Sequence, residues 1–253
     1  MIPLDANTFV GGYPFRYVPH PDPEILVGVL EREEVSAAWT GHLPSVWHRD
    51  PTHGNESLFE SLAPYRDRLH PVPAVRPDWP GWEKALRDVV ERGAPAIRAY
   101  PSQWRLGAED RGMLRLAAAC GEADVTLVLT TRFEDLRQRH WMDVAPDLTG
   151  AAVRALARVK GTARILVTAA GRALIEEVHW GLTPDERERV WWDISWIWGP
   201  PENDLAHLFR TLGPVRFVYG TQWPLRLVQS PRANLELLPD DLRARPLATS
   251  VFT

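Results

Sequence analysis

The chain has 253 residues, 45% hydrophobic and 25% charged, with a formal net charge of −4 and a pI of about 6.1. That balance excludes a global basic field for nucleic acid or an acidic membrane, and the single cysteine, Cys120, excludes an intrachain disulfide. No apolar run approaches the ~18 residues of a membrane span and no charged-then-apolar leader is evident, so a cytoplasmic protein is the expectation.

Taken in order, Ile2 to Leu4 reads as a first short strand followed by a polar stretch, Asp5 to Phe9. The segment from Pro21 to Val35 has helical apolar spacing, and Val35 to Trp39 is a second strand. A long loop, 40–55, carries His42, Trp47, His48, Asp50 and His53, and Asn55 is placed to cap a helix over 56–62. Val72 to Val75 is a third strand, a helix runs from Trp79 to Arg92 and stops at Gly93, and Ala96 to Tyr100 is a fourth strand. Helix 109–120 leads to strand 125–130, whose β-branched apolar run fits a parallel strand buried on both faces. Helix 151–159, strand 164–168, helix 172–178, strand 190–195, helix 205–212 and strand 215–219 follow, and helical residues over 231–238 and 241–245 close the chain.

Eight strands alternating mostly with helices predict an α/β fold with a parallel sheet wrapped by helices. The length is close to the roughly 250 residues of one closed barrel. No second composition block or linker appears, so the expectation is a single (β/α)8 TIM-like barrel, one domain over 1–253. No Gly-x-Gly-x-x-Gly follows a strand, and neither a P-loop nor a Gly-x-Ser-x-Gly elbow is present.

In such barrels chemistry sits at the carboxyl ends of the strands. That rule selects Asp5, Asn7, Glu134, Asp193 and Gln222 as candidate catalytic groups. It selects Arg98, Tyr100, Arg132, Trp39, Trp196 and Trp223 as candidate substrate-binding groups. Each has a structural alternative: Asp5 as an acceptor of backbone amides only, Arg98 as half of an ion pair, and Asp193 as a buried carboxylate that must in any case be hydrogen-bonded. Glu134 and His140 share one loop and form a candidate acid–base pair. Arg98 and Arg132 follow neighbouring strands, so their guanidiniums are candidates to converge on one anionic ligand. Seven of the twelve tryptophans (Trp39, Trp47, Trp104, Trp141, Trp196, Trp198 and Trp223) fall at strand ends or in the loops there. An aromatic mouth, suited to planar or sugar-like ligands, is therefore expected.

The stretches Asp5-Ala-Asn-Thr-Phe-Val-Gly-Gly, Gly54-Asn55, Pro80-Gly-Trp, Ala96-Ile-Arg-Ala-Tyr-Pro101 and Phe217-Val-Tyr-Gly-Thr-Gln-Trp-Pro224 carry a resemblance over nearly the whole chain. The sequence resembles the amidohydrolase-related superfamily, in the branch of the aminocarboxymuconate-semialdehyde decarboxylases. The resemblance implies a metal-binding barrel acting on small molecules. It also locates the ligand positions: Asn7 and Phe9 stand where the family has His-x-His, and Gln222 where it has a metal-binding Asp. Leu129 or Thr130 stands at the strand-five histidine, and Thr168 to Ala170 at the strand-six histidine. This donor set cannot assemble a zinc site.

The expectations are therefore no metal and no cofactor, and a metal-independent hydrolase or lyase acting on a small anionic, aromatic or sugar-like molecule. The alternative is a catalytically inactive barrel that binds a ligand or a partner protein. A replacement metal in the His42, His48, Asp50, His53 loop ranks behind both, because the spacing matches no standard zinc pattern. The expected partner is a small molecule at the barrel mouth, with self-association or a partner protein left open, and neither nucleic acid nor membrane.

Overall fold

The computed structural model describes residues 2–19, 22–243, 247, 248 and 252. Eight parallel strands alternate with helices. β1 (Ile2–Val10), α1 (Pro23–Arg32), β2 (Val35–His42), α2 (Thr52–Leu62) and β3 (Leu69–Pro71) form the first part. α3 (Trp82–Glu91), β4 (Ala96–Ala99), α4 (Arg111–Glu122), β5 (Thr126–Thr130) and α5 (Gly150–Ala157) follow. Then come β6 (Ile165–Thr168), α6 (Arg172–Trp180), α7 (Pro184–Arg187), β7 (Val190–Asp193), α8 (Asp204–Thr211), β8 (Phe217–Val218), α9 (Gln229–Glu236) and α10 (Asp240–Arg243).

β1, β2 and β3 pair as one parallel sheet and β4 to β8 as another. Backbone contacts join the two on both seams. On one, Thr8 bridges Trp223, and Gln222 N–H donates to Asn7 O at 2.7 Å; on the other, Ala74 bridges Arg98, and Arg98 N–H donates to Pro73 O at 2.8 Å. The ring is thereby closed, and the fold is the (β/α)8 barrel expected.

The period-2 alternation of the strands sorts their side chains. Leu4, Ala6, Val128, Leu166, Trp191 and Val218 pack inside the barrel, while Leu127, Leu129, Ile165, Val167 and Trp192 join the larger cluster beneath the helices. The helices present matching stripes. In α3 the buried residues are Trp82, Leu86 and Val89, three to four apart. Helix starts are set locally: Asp110 accepts from Met113 N–H at 3.0 Å to cap α4, and Thr183 with Glu186 forms a reciprocal capping box on α7.

The departures from the sequence reading have physical causes. β1 runs to Val10 instead of ending at Leu4, because its buried polar side chains find partners on neighbouring elements (Asp5 with Thr221, Asn7 with Asp193 and Arg98, Thr8 with Thr40) and need no solvent. β2 runs to His42, shortening the expected loop. Asn55 is not a cap: it lies inside α2, and its amide both donates to Ala74 O (2.8 Å) and accepts from Ala74 N–H (2.9 Å), pinning the chain after β3. The third strand is 69–71 rather than 72–75, and α7 was not anticipated. Of the expected final helix, residues 244 and 245 lie outside the described residues, as does Pro21 at the start of the first.

Candidate functional site

The carboxyl ends of β1, β4, β7 and β8 bring four of the five catalytic candidates together on the barrel axis. Asp193 is fully buried and its carboxylate is saturated. Oδ1 accepts from Ala169 N–H at 2.8 Å, and Oδ2 accepts from Ser195 Oγ at 2.8 Å and from Asn7 Nδ2 at 2.7 Å. Asn7 Oδ1 accepts from Arg98 Nη1 at 3.2 Å. The Arg98 guanidinium, fully buried, lies 4.3 Å from the centre of the Phe9 ring and reaches Thr8 O at 3.5 Å. Two glycines make room for this pair: a Cβ on Gly41 would stand 2.8 Å from Arg98 Nε, and one on Gly220 would stand 2.7 Å from Asp193 Oδ2.

Asp5 sits beside this set and accepts from Asn7 N–H (3.0 Å), Thr221 N–H (3.1 Å) and Thr221 Oγ1 (2.6 Å). Burial pushes its pKa up to about 6 against the pull of those hydrogen bonds. Burial likewise holds Asp193 above the ordinary carboxylate range and Arg98 below the ordinary guanidinium range. Gln222, at φ 61°, donates from Nε2 to Arg132 O at 2.7 Å and accepts the Trp196 indole N–H on Oε1.

The family's metal positions can be tested against this arrangement. Thr168 Oγ1 donates to Thr130 Oγ1 (3.2 Å) and lies 3.3 Å from Leu129 O, so the strand-five and strand-six positions are filled by a hydroxyl pair. Asn7 is committed to Asp193 and Arg98, Phe9 is a hydrocarbon, and a guanidinium cation already lies beside them. These residues do not fit a divalent metal. The His42 loop does not compensate. His42 bonds Ser45 Oγ at 2.8 Å, and burial together with the charges of His48 and His53 holds its pKa down to about 4. Among the described residues no three His, Cys, Asp or Glu side chains are grouped to hold a metal ion.

The remaining candidates are placed differently from expectation. Glu134 is not on the axis. It pairs with Arg16 at 2.5 Å, and no acid–base pair with His140 forms, because that ring stacks on Phe15 at 5.7 Å. Arg132 and Arg98 do not converge: Arg132 pairs with Asp147 at 2.9 Å and lies 5.3 Å from the Trp196 ring centre. Trp39 does not line a mouth; it is buried inside the barrel with its ring edge-on to Phe252 at 5.5 Å. Tyr100 is buried against Trp104 (5.4 Å) and Phe133 (5.8 Å), and burial pushes its hydroxyl up to about 12. Trp196 is buried under the Arg226 guanidinium (4.2 Å), and Trp223 packs half-buried on the core.

Phe133, which sequence reasoning did not single out, completes the picture. Its buried ring touches Phe9 (5.8 Å), Trp47 (5.3 Å) and Tyr100 (5.8 Å). Tyr13, Phe15, Trp47, Tyr100, Trp104 and Phe133 thus pack on one another rather than lining an open mouth, while Trp141 and Trp198 are exposed. None of Asp5, Asn7, Arg98, Asp193 and Gln222 lines the five cavities found among the described residues with linings at 82–123, 15–146, 132–204, 30–68 and 2–236. Arg132 lines one of about 430 Å³ with Arg172, Trp198 and Asp204.

No protein-family model matches the sequence, and no curated protein matches it. Solved structures do. The 2,6-dihydroxybenzoate decarboxylase of Rhizobium is 12% identical, with a TM-score of 0.69 over 99% of this chain and 98% of that one. The 5-carboxyvanillate decarboxylase of Sphingomonas paucimobilis is 12% identical, with a TM-score of 0.66 over 96% and 95%. A probable 2-pyrone-4,6-dicarboxylic acid hydrolase of Acinetobacter baumannii, solved with citric acid bound, is 10% identical, with a TM-score of 0.63 over 94% and 91%. The resemblance read from the sequence therefore holds at the level of architecture: the chain is a (β/α)8 barrel with the fold of the amidohydrolase-type decarboxylases and hydrolases.

Proposed function

We propose that the chain is a one-domain amidohydrolase-like barrel that binds a small anionic or aromatic molecule and whose axial centre catalyses no reaction. The observation that carries this is the saturation of the axis. Asp5, Asn7, Asp193 and Gln222 spend their side-chain atoms on one another, on Thr221, Ser195, Trp196 and Arg98, and on backbone groups. A general acid, base or nucleophile needs at least one face directed at a substrate, and these side chains are fully buried. Arg98 supplies the positive charge that balances the buried carboxylates, the electrostatic task a metal performs in an open site. The ligand class rests on the fold relatives, whose names specify carboxylates: a dihydroxybenzoate, a carboxyvanillate and bound citric acid.

A metal-independent hydrolase or lyase is the second reading. One observation favours it: Asp5 is poised to exchange a proton near neutrality, with a pKa of about 6. In that reading Asp5 and Asp193 are the acid–base groups and Asn7 and Gln222 orient the substrate, while Glu134, paired with Arg16, takes no part. Turnover of small esters, lactones and aromatic carboxylates in the presence of a chelator separates the two, run alongside thermal shift with the same compounds. Stabilisation without turnover is expected. Turnover that persists in chelator and is lost in Asp5→Asn replaces the first reading with the second.

A further inference from the structure

The loop between β5 and α5 is turned inside out. Its large apolar side chains Leu136, Trp141, Met142 and Val144 are between 52% and 80% exposed, while Glu134, Arg139 and Asp143 are between 6% and 9% exposed. Folded chains ordinarily do the reverse. The buried polar groups form the frame of the loop. The Arg139 guanidinium donates to Ala145 O (2.7 Å) and Glu134 O (3.2 Å) and pairs with Asp147. Asp143 accepts the Ala145 amide, and the Gln138 and Arg139 N–H groups both donate to Asp135 O at 2.9 Å. Leu148 N–H closes the base of the loop on Thr131 O at 3.0 Å. Such a frame holds the apolar side chains in place before any partner arrives, so docking on them costs little ordering entropy.

The segment after β1 extends the patch. Arg16 Nε donates to Glu134 at 2.5 Å, the Phe15 ring stacks on His140 at 5.7 Å, and Tyr17, next in the chain, is exposed. Tyr17, Leu136, Trp141, Met142 and Val144 together present on the order of 700 Å² of surface, more than the largest apolar patch of a typical monomer, and two such patches face to face bury about 1,400 Å², a standard interface. Trp, Tyr and Met are the types that interface cores concentrate. The charges of the patch are balanced: Arg137 donates to both Asp135 oxygens (2.9 and 3.1 Å), and Arg16 is held by Glu134. An anionic membrane calls for an unpaired basic cluster beside the aromatic residues, and an oppositely charged protein calls for a net field. A patch that is apolar at its centre and neutral at its edge meets its own copy without repulsion.

We infer that two copies of this chain pair across a two-fold axis through the loop 133–147, with Leu136, Trp141, Met142 and Val144 of each copy packed against the same patch of the other and Tyr17 at the edge. A two-fold contact uses one patch twice and closes at two copies. The pairing is independent of what the barrel binds.

The test is sedimentation velocity of the full chain over about 1 to 100 µM, where an interface of this size is expected to give a monomer–dimer equilibrium with at least half dimer by about 10 µM. Trp141→Glu replaces an exposed side chain that the barrel itself does not need. It is expected to weaken the dimer at least about thirtyfold, the scale of an interface hot spot, with an unchanged circular dichroism spectrum. Trp180→Glu is the control. That tryptophan is also exposed, but it ends α6 and so lies at the opposite end of the barrel, and the equilibrium is expected to be unchanged. A chain that stays monomeric at about 100 µM overturns the inference. So does a dimer that Trp141→Glu leaves intact or that Trp180→Glu weakens equally, and association that grows past two copies overturns the closed pairing. A monomer that sediments with phosphatidylserine vesicles, and no longer does so in Trp141→Glu, assigns the patch to a membrane and overturns the dimer.

Discussion

The axis of the barrel and the cavity beside it are built from the same residue types with opposite outcomes. On the axis, Asp193, Asn7, Arg98, Asp5 and Gln222 are fully buried, and their polar side-chain atoms have protein partners except Arg98 Nε, which lies buried without an acceptor. The cavity of about 480 Å³ beside it is lined by Phe15, Trp47, Ser102, Gln103, Arg105 and residues 142–146; there Asp143 accepts the Ala145 amide, Gln103 Oε1 is buried among protein atoms without a donor, and Arg105 is exposed with no carboxylate partner among the described residues. Buried polar groups that satisfy one another stabilise a unique arrangement, whereas an exposed side chain without partners contributes little. Substitutions on the axis should therefore act on stability, and substitution of Arg105 at the cavity rim should leave it nearly unchanged.

The largest effect is expected for Asp193→Ala. It strips a partner from Asn7, Ser195 and Ala169 N–H and leaves Arg98 less balanced, at a cost of about 3–5 kcal/mol in chemical denaturation. A loss under about 1 kcal/mol would show that the axial network is not structural. Arg98→Met is expected to cost about 3 kcal/mol, leaving Asn7 Oδ1 without its donor and the Asp193 charge without its cation. Unchanged stability with loss of carboxylate binding would restore Arg98 as a ligand anchor.

A pH titration of stability sharpens the comparison further. The Asp5 carboxyl titrates at about 6 in the folded chain against a reference value of 3.8, so between these pH values the folded state holds the extra proton. Its contribution to stability therefore falls as pH rises from about 4 to 6, by at most on the order of 3 kcal/mol. Asp193, also raised by burial, acts in the same direction. His42, held down to about 4 from 6.5, acts oppositely: its neutral form is favoured by folding, and stability is lost as pH falls through that window. Asp5→Asn should remove the Asp5 slope, so that between about pH 4 and 6 stability falls less with rising pH than in the wild type. An identical profile in wild type and variant would mean Asp5 is not titrating there.

Two smaller effects complete the contrast. Arg105→Met, on an exposed loop residue without an ion-pair partner among the described residues, should change the free protein's stability by less than about 0.5 kcal/mol. A larger loss would identify Arg105 as structural. Addition of zinc to chelator-treated protein should leave the melting temperature unchanged and elemental analysis should find no stoichiometric metal. One tightly held equivalent that is lost in Gln222→Ala would reinstate an axial metal site.

The barrel itself was legible because it is written in local chemistry. Val125 to Thr130 is β-branched and apolar enough to be a buried parallel strand in any context, and the stripe of α3 is a 3.6-residue pattern. Helix and strand alternation then leaves few topologies. The polar residues at the strand ends were also visible, and Asp5, Asn7, Asp193 and Gln222 do converge. What each of them does there was decided by tertiary contacts between residues far apart in the chain. Asn7 meets Asp193 across 186 positions and Arg98 across 91. Whether Arg98 faces a ligand or an amide depends on the space left by Gly41, and whether Trp39 lines a mouth or fills the interior depends on Phe252. The cavity has the same character. Gln103 and Arg105 are ordinary polar loop residues in sequence, and the folded neighbourhood alone shows that one acceptor is buried without a donor and one cation stands without a carboxylate. Periodicity and propensity act over a few residues and fix the elements; hydrogen-bond satisfaction is settled by which elements meet, so only the closed barrel could distinguish the saturated axis from the open cavity.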